Sequence, residues 1–235
     1  MAGTATHLAI ADKIVETLPA GIITDLPAFY SGNIAPDAVH SRAGYTREMK
    51  KHTHLTTGLS GGDFTIPEKL EVFHGRLSEF IEKYYRPGSP DCDLYLGYVA
   101  HLVTDEYFNI HIRSKCEQRM KEEGITKDDP EFARRILRDM DRVDALIIGK
   151  YPFKNDVRAL LGGIWDCEIR DMVTPEETNA SKTWVINKLF DSTAPEKDPQ
   201  YYSYDEALEF IEIVSFAIIE RFSGGKDFPR LFEAD

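Results

Sequence analysis

The sequence predicts an all-α protein, a single multi-helix domain over residues 1–235 with seven or eight helices. Three observations carry this. Apolar residues recur every three or four positions along most of the chain, alternating strand patterns are scarce and short, and prolines and capping boxes mark helix ends. The polar stretches Gly58–Thr65, Pro87–Asp93 and Asp191–Gln200 read as loops, none long enough to divide the chain into domains.

Taken in order, the first helix turns His7, Ala11, Ile14 and Leu18 inward. A second begins at Pro67, where the missing N–H is harmless, and carries Leu70, Phe73, Leu77, Phe80 and Tyr84 on one face. It must stop near Tyr85-Arg86-Pro87-Gly88. Leu94, Tyr98, His101, Asp105, Phe108 and Ile112 form the next stripe. Phe132, Ile136, Met140, Val143 and Ile147 form another, and Val157, Leu160, Leu161, Ile164 and Ile169 another. Thr174-Pro-Glu-Glu177 and Ser203-Tyr-Asp-Glu206 are capping boxes that open two late helices. The last runs through Ala207, Phe210, Val214 and Ile218 and ends at Gly224-Gly225.

Composition narrows the function classes. Hydrophobic residues make up 42% and aromatic residues 11%, too many for a disordered chain. No run of 18 apolar residues spans a membrane, and Met1–Leu8 shows no secretory signal. The net charge of −12 repels duplex nucleic acid and anionic membranes at long range. A phosphorylated substrate remains possible if a metal supplies local positive charge. Cys92, Cys116 and Cys167 are far apart and lack a CxxC spacing, which predicts reduced thiols in a cytoplasmic protein.

The informative polar residues lie on apolar faces. His101 and Asp105 are four apart, roughly 40° from each other on a helix, and both sit on the core-facing stripe. An ionised carboxylate there must be paired or bound to a metal. Two readings fit: a metal-binding pair, or a hydrogen-bonded pair that braces the helix. Asp37, after Pro36, reads as a ligand or a helix cap. His52 and His54 share a side of an extended chain but diverge on a helix. His40 follows Asp37 by three residues and reads as a supporting donor or substrate contact, and His74 as structural. Imidazole with carboxylate suits zinc, manganese or iron. Ser60-Gly61-Gly62 is too short for a phosphate loop, and no Gly-x-Ser-x-Gly elbow or His-Asp dipeptide occurs.

The segment Gly97-Tyr-Val-Ala-His101-Leu-Val-Thr-Asp105-Glu-Tyr-Phe-Asn-Ile-His111 resembles the signature of the zinc-dependent phospholipases C and the single-strand-specific zinc nucleases. Thr6-His7-Leu8, Pro36-Asp37 and Thr53-His54-Leu55 precede it in the order of that superfamily, and small intracellular members look most similar. The resemblance implies an all-α hydrolase of phosphodiesters with a cluster of metal ions. It implies that Asp37, His54, His101 and Asp105 hold one ion, that Asp105 bridges to a second held by His7, and that His111 serves a third. His54 is favoured over His52 by the Thr-His match. No histidine follows His111 to complete the third site, where Asp141, Asp144 or Glu168 would have to act.

The function expected is therefore hydrolysis of a soluble phosphoester by a metal-activated water, with Asp37 assisting proton removal. Zinc is the first choice of ion, with manganese or iron as alternatives, and one or two ions are expected to bind tightly. The alternative is a metal-binding helical protein without turnover. The late aromatics Trp184, Phe190, Tyr201, Tyr202 and Tyr204 read as core or as the face of a homodimer.

Overall fold

The computed structural model describes residues 2–223. These residues form an all-α bundle of ten α-helices, and the one β feature among them is an isolated bridge between Ile169 and Val173. The elements are α1 (Thr4–Thr17), α2 (Leu26–Ile34), α3 (Arg47–Thr53), α4 (Pro67–Tyr84), α5 (Cys92–Tyr107), α6 (Ser114–Glu122), α7 (Pro130–Lys150), α8 (Val157–Leu161), α9 (Pro175–Trp184) and α10 (Tyr204–Ser223). A 3-10 helix over Ala35–Ser41 follows α2, and a second covers Gly61–Thr65. A π turn over Phe108–Arg113 joins α5 to α6 without a break, and another, Val185–Leu189, extends α9. The helix count exceeds seven or eight because α3 and α8 are too short to show a periodic stripe.

α5 is the axis of the bundle, with every residue from Asp93 to Glu106 buried. A helix apolar all round sits in the middle of a core, which is where the LYLGYVAHLV run belongs. It lies directly on α2 because two glycines permit it. A Cβ at Gly32 would come 1.9 Å from the Leu94 carbonyl oxygen, and one at Gly97 2.0 Å from that of Phe29. Backbone therefore meets backbone, and the α2 main chain comes within hydrogen-bond reach of α5 side chains. α1 packs against α10, α2 and α7, and α9 covers the 3-10 helix Ala35–Ser41. The buried apolar residues form one continuous core.

Local chemistry sets the ends. Pro67 opens α4, which stops at Tyr84. Thr174 and Glu177 cap α9 reciprocally, and Ser203 and Glu206 do the same for α10. The stripe from Val157 to Ile169 does not form one helix. α8 ends at Leu161, because Gly162-Gly163 is a poor helix former, and Ile169 instead turns back to pair with Val173. Gly224-Gly225 lie outside the described residues. No helix among the described residues is long and apolar enough to cross a membrane. Cys92, Cys116 and Cys167 are free thiols.

Candidate metal centre

Most buried carboxylates of the bundle are satisfied. Asp12 accepts from Tyr30 Oη, Lys154 N and Asn155 N and Nδ2. Asp93 accepts from Thr24 N, Thr24 Oγ1 and Asp25 N. Asp139 accepts from Gln200 N, Tyr201 N and Arg142. These charges are structural, since backbone amides and an arginine answer them. The cluster around His101 and Asp105 is different. Asp105 Oδ2 and both ring nitrogens of His7 are buried without a hydrogen-bond partner among the described residues.

Five side chains predicted from sequence converge there. His54 Nε2 lies 3.2 Å from His101 Nε2, 3.3 Å from Asp37 Oδ1 and 3.5 Å from Asp105 Oδ2. His101 Nε2 is 3.8 Å from Asp105 Oδ2, and His7 Nε2 is 3.4 Å from Asp105 Oδ1. Two triads with mutually adjacent ligand atoms result, His7–His101–Asp105 and Asp37–His54–His101. Ligands about 2.0–2.2 Å from a tetrahedral ion stand about 3.4 Å from one another, so these spacings suit a cation at the centre.

The tautomers point the same way. His101 Nδ1 is 2.8 Å from the Asn33 carbonyl, and His54 Nδ1 is 2.9 Å from the Lys50 carbonyl. A carbonyl only accepts, so each Nδ1 carries a proton, and in a neutral ring the Nε2 then presents a lone pair toward the cluster. In two neutral rings of this tautomer the Nε2 atoms, 3.2 Å apart, have no hydrogen to share. Outer hydrogen bonds that fix the far nitrogen are the usual support of metal-ligating histidines. Burial, with repulsion from His7, pushes the His101 imidazolium pKa well down, which keeps that ring neutral. Burial would raise the Asp37 carboxyl, but the Lys50 ammonium holds it well below the usual carboxylate range. Asp105 is likewise held low against its burial. Its Oδ1 also accepts from the Ala2 backbone N–H at 2.8 Å.

Each ligand is placed by a local device. His7 stacks on His101, 3.7 Å between ring centroids and 2° from parallel. His54 is the C-cap of α3, and Leu55 behind it is left-handed at φ 57°. Leu55 N bonds to the His52 carbonyl and Thr56 N to that of Lys51, a Schellman ending that turns the chain and leaves His54 facing inward. Thr53 Oγ1 donates to the Pro36 carbonyl, tying α3 to the 3-10 helix that carries Asp37. His52 points outward, its Nε2 3.1 Å from the Asp171 carbonyl.

The remaining candidates lie apart. His111 is exposed against Tyr107, and neither triad includes it. Asp141 and Glu168 are exposed. Asp144 is buried and accepts from Thr6 N and Oγ1, and burial pushes its carboxyl up to about 6. Gly3 makes room for it, since a Cβ there would lie 2.2 Å from Asp144 Oδ1. His40 Nδ1 is 3.9 Å from Asp37 Oδ1, and His74 pairs with Glu106 at 2.9 Å. Sequence reasoning passed over Lys50, which is buried and donates from Nζ to Asp37 Oδ1. A lysine in Lys50-Lys51-His52 reads as solvated, and no local pattern marks it otherwise.

Two clefts flank the cluster. One of about 370 Å³ is lined by His7, Asn33, Asp37, His40, His101 and Trp184, among others. The other, about 380 Å³, reaches His54 and Asp105 past Lys50. Tyr201 and Tyr202 belong to the core, whereas Trp184 is exposed at the first cleft. Comparison with family models, curated proteins and solved structures finds no match for this chain.

Proposed function

We propose that the protein is a metal-dependent hydrolase of a soluble phosphoester, akin to the zinc-dependent phospholipases C and single-strand-specific zinc nucleases. The observation that carries this is the His54–His101 pair, two Nε2 atoms 3.2 Å apart beside the carboxylates of Asp37 and Asp105. Asp37, His54, His101 and Asp105 would hold one ion, and His7 with Asp105 a neighbouring one. Zinc suits this mixed imidazole–carboxylate set, with manganese or iron as harder alternatives. Such ions, when bound, supply a water that ionises near neutrality and positive charge against the phosphoryl oxygens.

The chain's own residues do the rest. The Asn33 and Lys50 carbonyls hold the Nδ1–H of the two imidazoles and so turn each Nε2 toward the cluster. Asp37 is ionised and borders a cleft, so its carboxylate is the group placed to take up a proton from water. Lys50 Nζ steadies Asp37 through Oδ1 and adds a positive charge beside the second cleft. The reduced thiols agree with a cytoplasmic setting.

A second reading, metal binding without turnover, draws on the exposed position of His111, which leaves a third ion without that ligand. One experiment separates the two. Purified protein is freed of metal, titrated with zinc or manganese, and assayed on bis(p-nitrophenyl) phosphate. The hydrolase reading expects turnover that tracks metal occupancy and falls at least about a hundredfold in Asp37→Asn. Metal uptake without turnover on a panel of phosphodiesters and monoesters would support the second reading, and no metal uptake would overturn both.

A further inference from the structure

The second cleft collects positive charge in a chain whose net charge is −12. Arg47, Lys50, Lys51 and Arg113 line it, together with the ligands His54 and Asp105. Two of the four cations are already engaged. Lys50 serves Asp37, and Lys51 pairs with Glu48 at 2.8 Å. The side chains of Arg47 and Arg113 make no hydrogen bond or ion pair among the described residues.

Arg113 is the more informative of the two. Its Nε is buried and unpartnered. Its guanidinium carbon lies 4.8 Å from the centre of the Phe132 ring, a cation–π contact. A Cβ at residue 61 would lie 2.9 Å from Nε, so the absence of a side chain at Gly61 leaves this arginine its space. Burial lowers the Arg113 pKa, and the like charge of Arg47 adds to that although Glu117 opposes it. A buried donor without an acceptor and two cations that repel each other are both relieved by a bound oxyanion. Leu59, Phe64, Phe73 and Leu102 supply its apolar lining, and Asp105 is the one carboxylate among the residues that line it.

We propose that Arg47 and Arg113 form a subsite for a second oxyanion of the substrate, a phosphate or carboxylate remote from the ester that the metal centre cleaves. This rests on the phosphoester reading for its place in catalysis, but the subsite itself is testable without metal. The substrate class is then a small phosphoester with at least two anionic groups, recognised locally by guanidinium forks against an unfavourable overall field.

The test is titration calorimetry of metal-free protein, with inorganic phosphate and with succinate as separate probes, at low and high salt. Wild type should bind at least one probe, more weakly as salt rises. Arg47→Gln, at an exposed position, and Arg113→Gln should each weaken binding about tenfold or more, with Arg113→Lys intermediate. Lys115→Gln, on the exposed side of α6, should leave it unchanged. Circular dichroism melting confirms that each variant is folded, and Arg47→Gln decides the matter if Arg113→Gln is not. Preference for phosphate or for succinate names the oxyanion. No binding of either probe, or binding indifferent to both arginines, overturns the proposal. Arginine-dependent binding in a protein that hydrolyses no phosphoester would overturn the hydrolase reading and leave the subsite standing.

Discussion

The rings of His7 and His101 lie face to face, 3.7 Å apart and 2° from parallel, with Asp105 Oδ1 3.4 Å from His7 Nε2. The stack ties α1 to α5 across the cluster and makes His7 peripheral to the His54–His101 pair. His7→Ala should therefore remove at most one ion and leave the other bound, whereas His101→Ala, which breaks both triads, should remove all tightly held metal. Metal counted by mass spectrometry after dialysis decides it. Full loss in His7→Ala, or three tight equivalents in wild type, contradicts the assignment.

Gly97→Ala tests the close approach of α2 and α5. The added carbon meets the Phe29 carbonyl, so the helices must part and the Asn33 carbonyl must leave His101. We expect a loss of about 1–3 kcal/mol in unfolding free energy, as for an overpacked core. Metal affinity should fall with it. A variant with unchanged stability and unchanged zinc affinity would show that the contact does not position the histidine.

Thr53→Val removes the hydroxyl that binds the Pro36 carbonyl and also adjoins His54 Nδ1 at 3.1 Å, while keeping the volume. Metal affinity should drop about tenfold or more, the usual scale for an outer-shell loss. A competitive chelator titration measures it, and an unchanged affinity would mean that Asp37 and His54 are held by other contacts.

The pH dependence of the metal-free protein should carry the mark of Asp144. Its carboxyl is raised to about 6 from 3.8 by burial, so the native state binds the proton more tightly than the unfolded chain. Stability from this group is fully present below pH 3.8 and is lost as pH rises through 6. Asp144→Asn keeps an acceptor for Thr6 and removes the slope. Above pH 6 it should be more stable than wild type, by on the order of 2 kcal/mol. Urea midpoints at pH 4 and pH 7 give the comparison, and a variant less stable at pH 7 refutes it.

His111→Ala is the contrasting substitution. On an exposed side chain resting against Tyr107, it should change neither metal content nor melting temperature beyond error. Loss of an ion in this variant would return His111 to the ligand set.

Much of the bundle can be read from periodicity because helices such as α4 and α7 bury one stripe each, and the Thr174 and Ser203 caps are local hydrogen-bond patterns. His101 and Asp105 stand out for the same reason: charge on an apolar stripe needs an explanation. Asp37 and His54 are different. Each lies in a turn whose side-chain direction is set by tertiary packing and by the unusual backbone at Leu55, so order and resemblance point to them rather than periodicity. The Asn33 and Lys50 carbonyls leave no trace in residue type at all. Gly32 and Gly97, inside helices, are a legible hint of close packing that the helical stripes alone pass over.

The π turn at Phe108–Arg113 alters which residues share a line along the α5–α6 rod. Arg113 comes eight residues after Asp105, which in unbroken α winding leaves the two about 80° apart. A π turn spends one residue more than an α turn and sets everything beyond it back by about 100°. Arg113 thereby swings to within about 20° of Asp105, and the two border the same cleft. The extra residue acts as a phase shift in the rod, and removing any one residue of the turn would rotate the arginine away while sparing the histidines upstream.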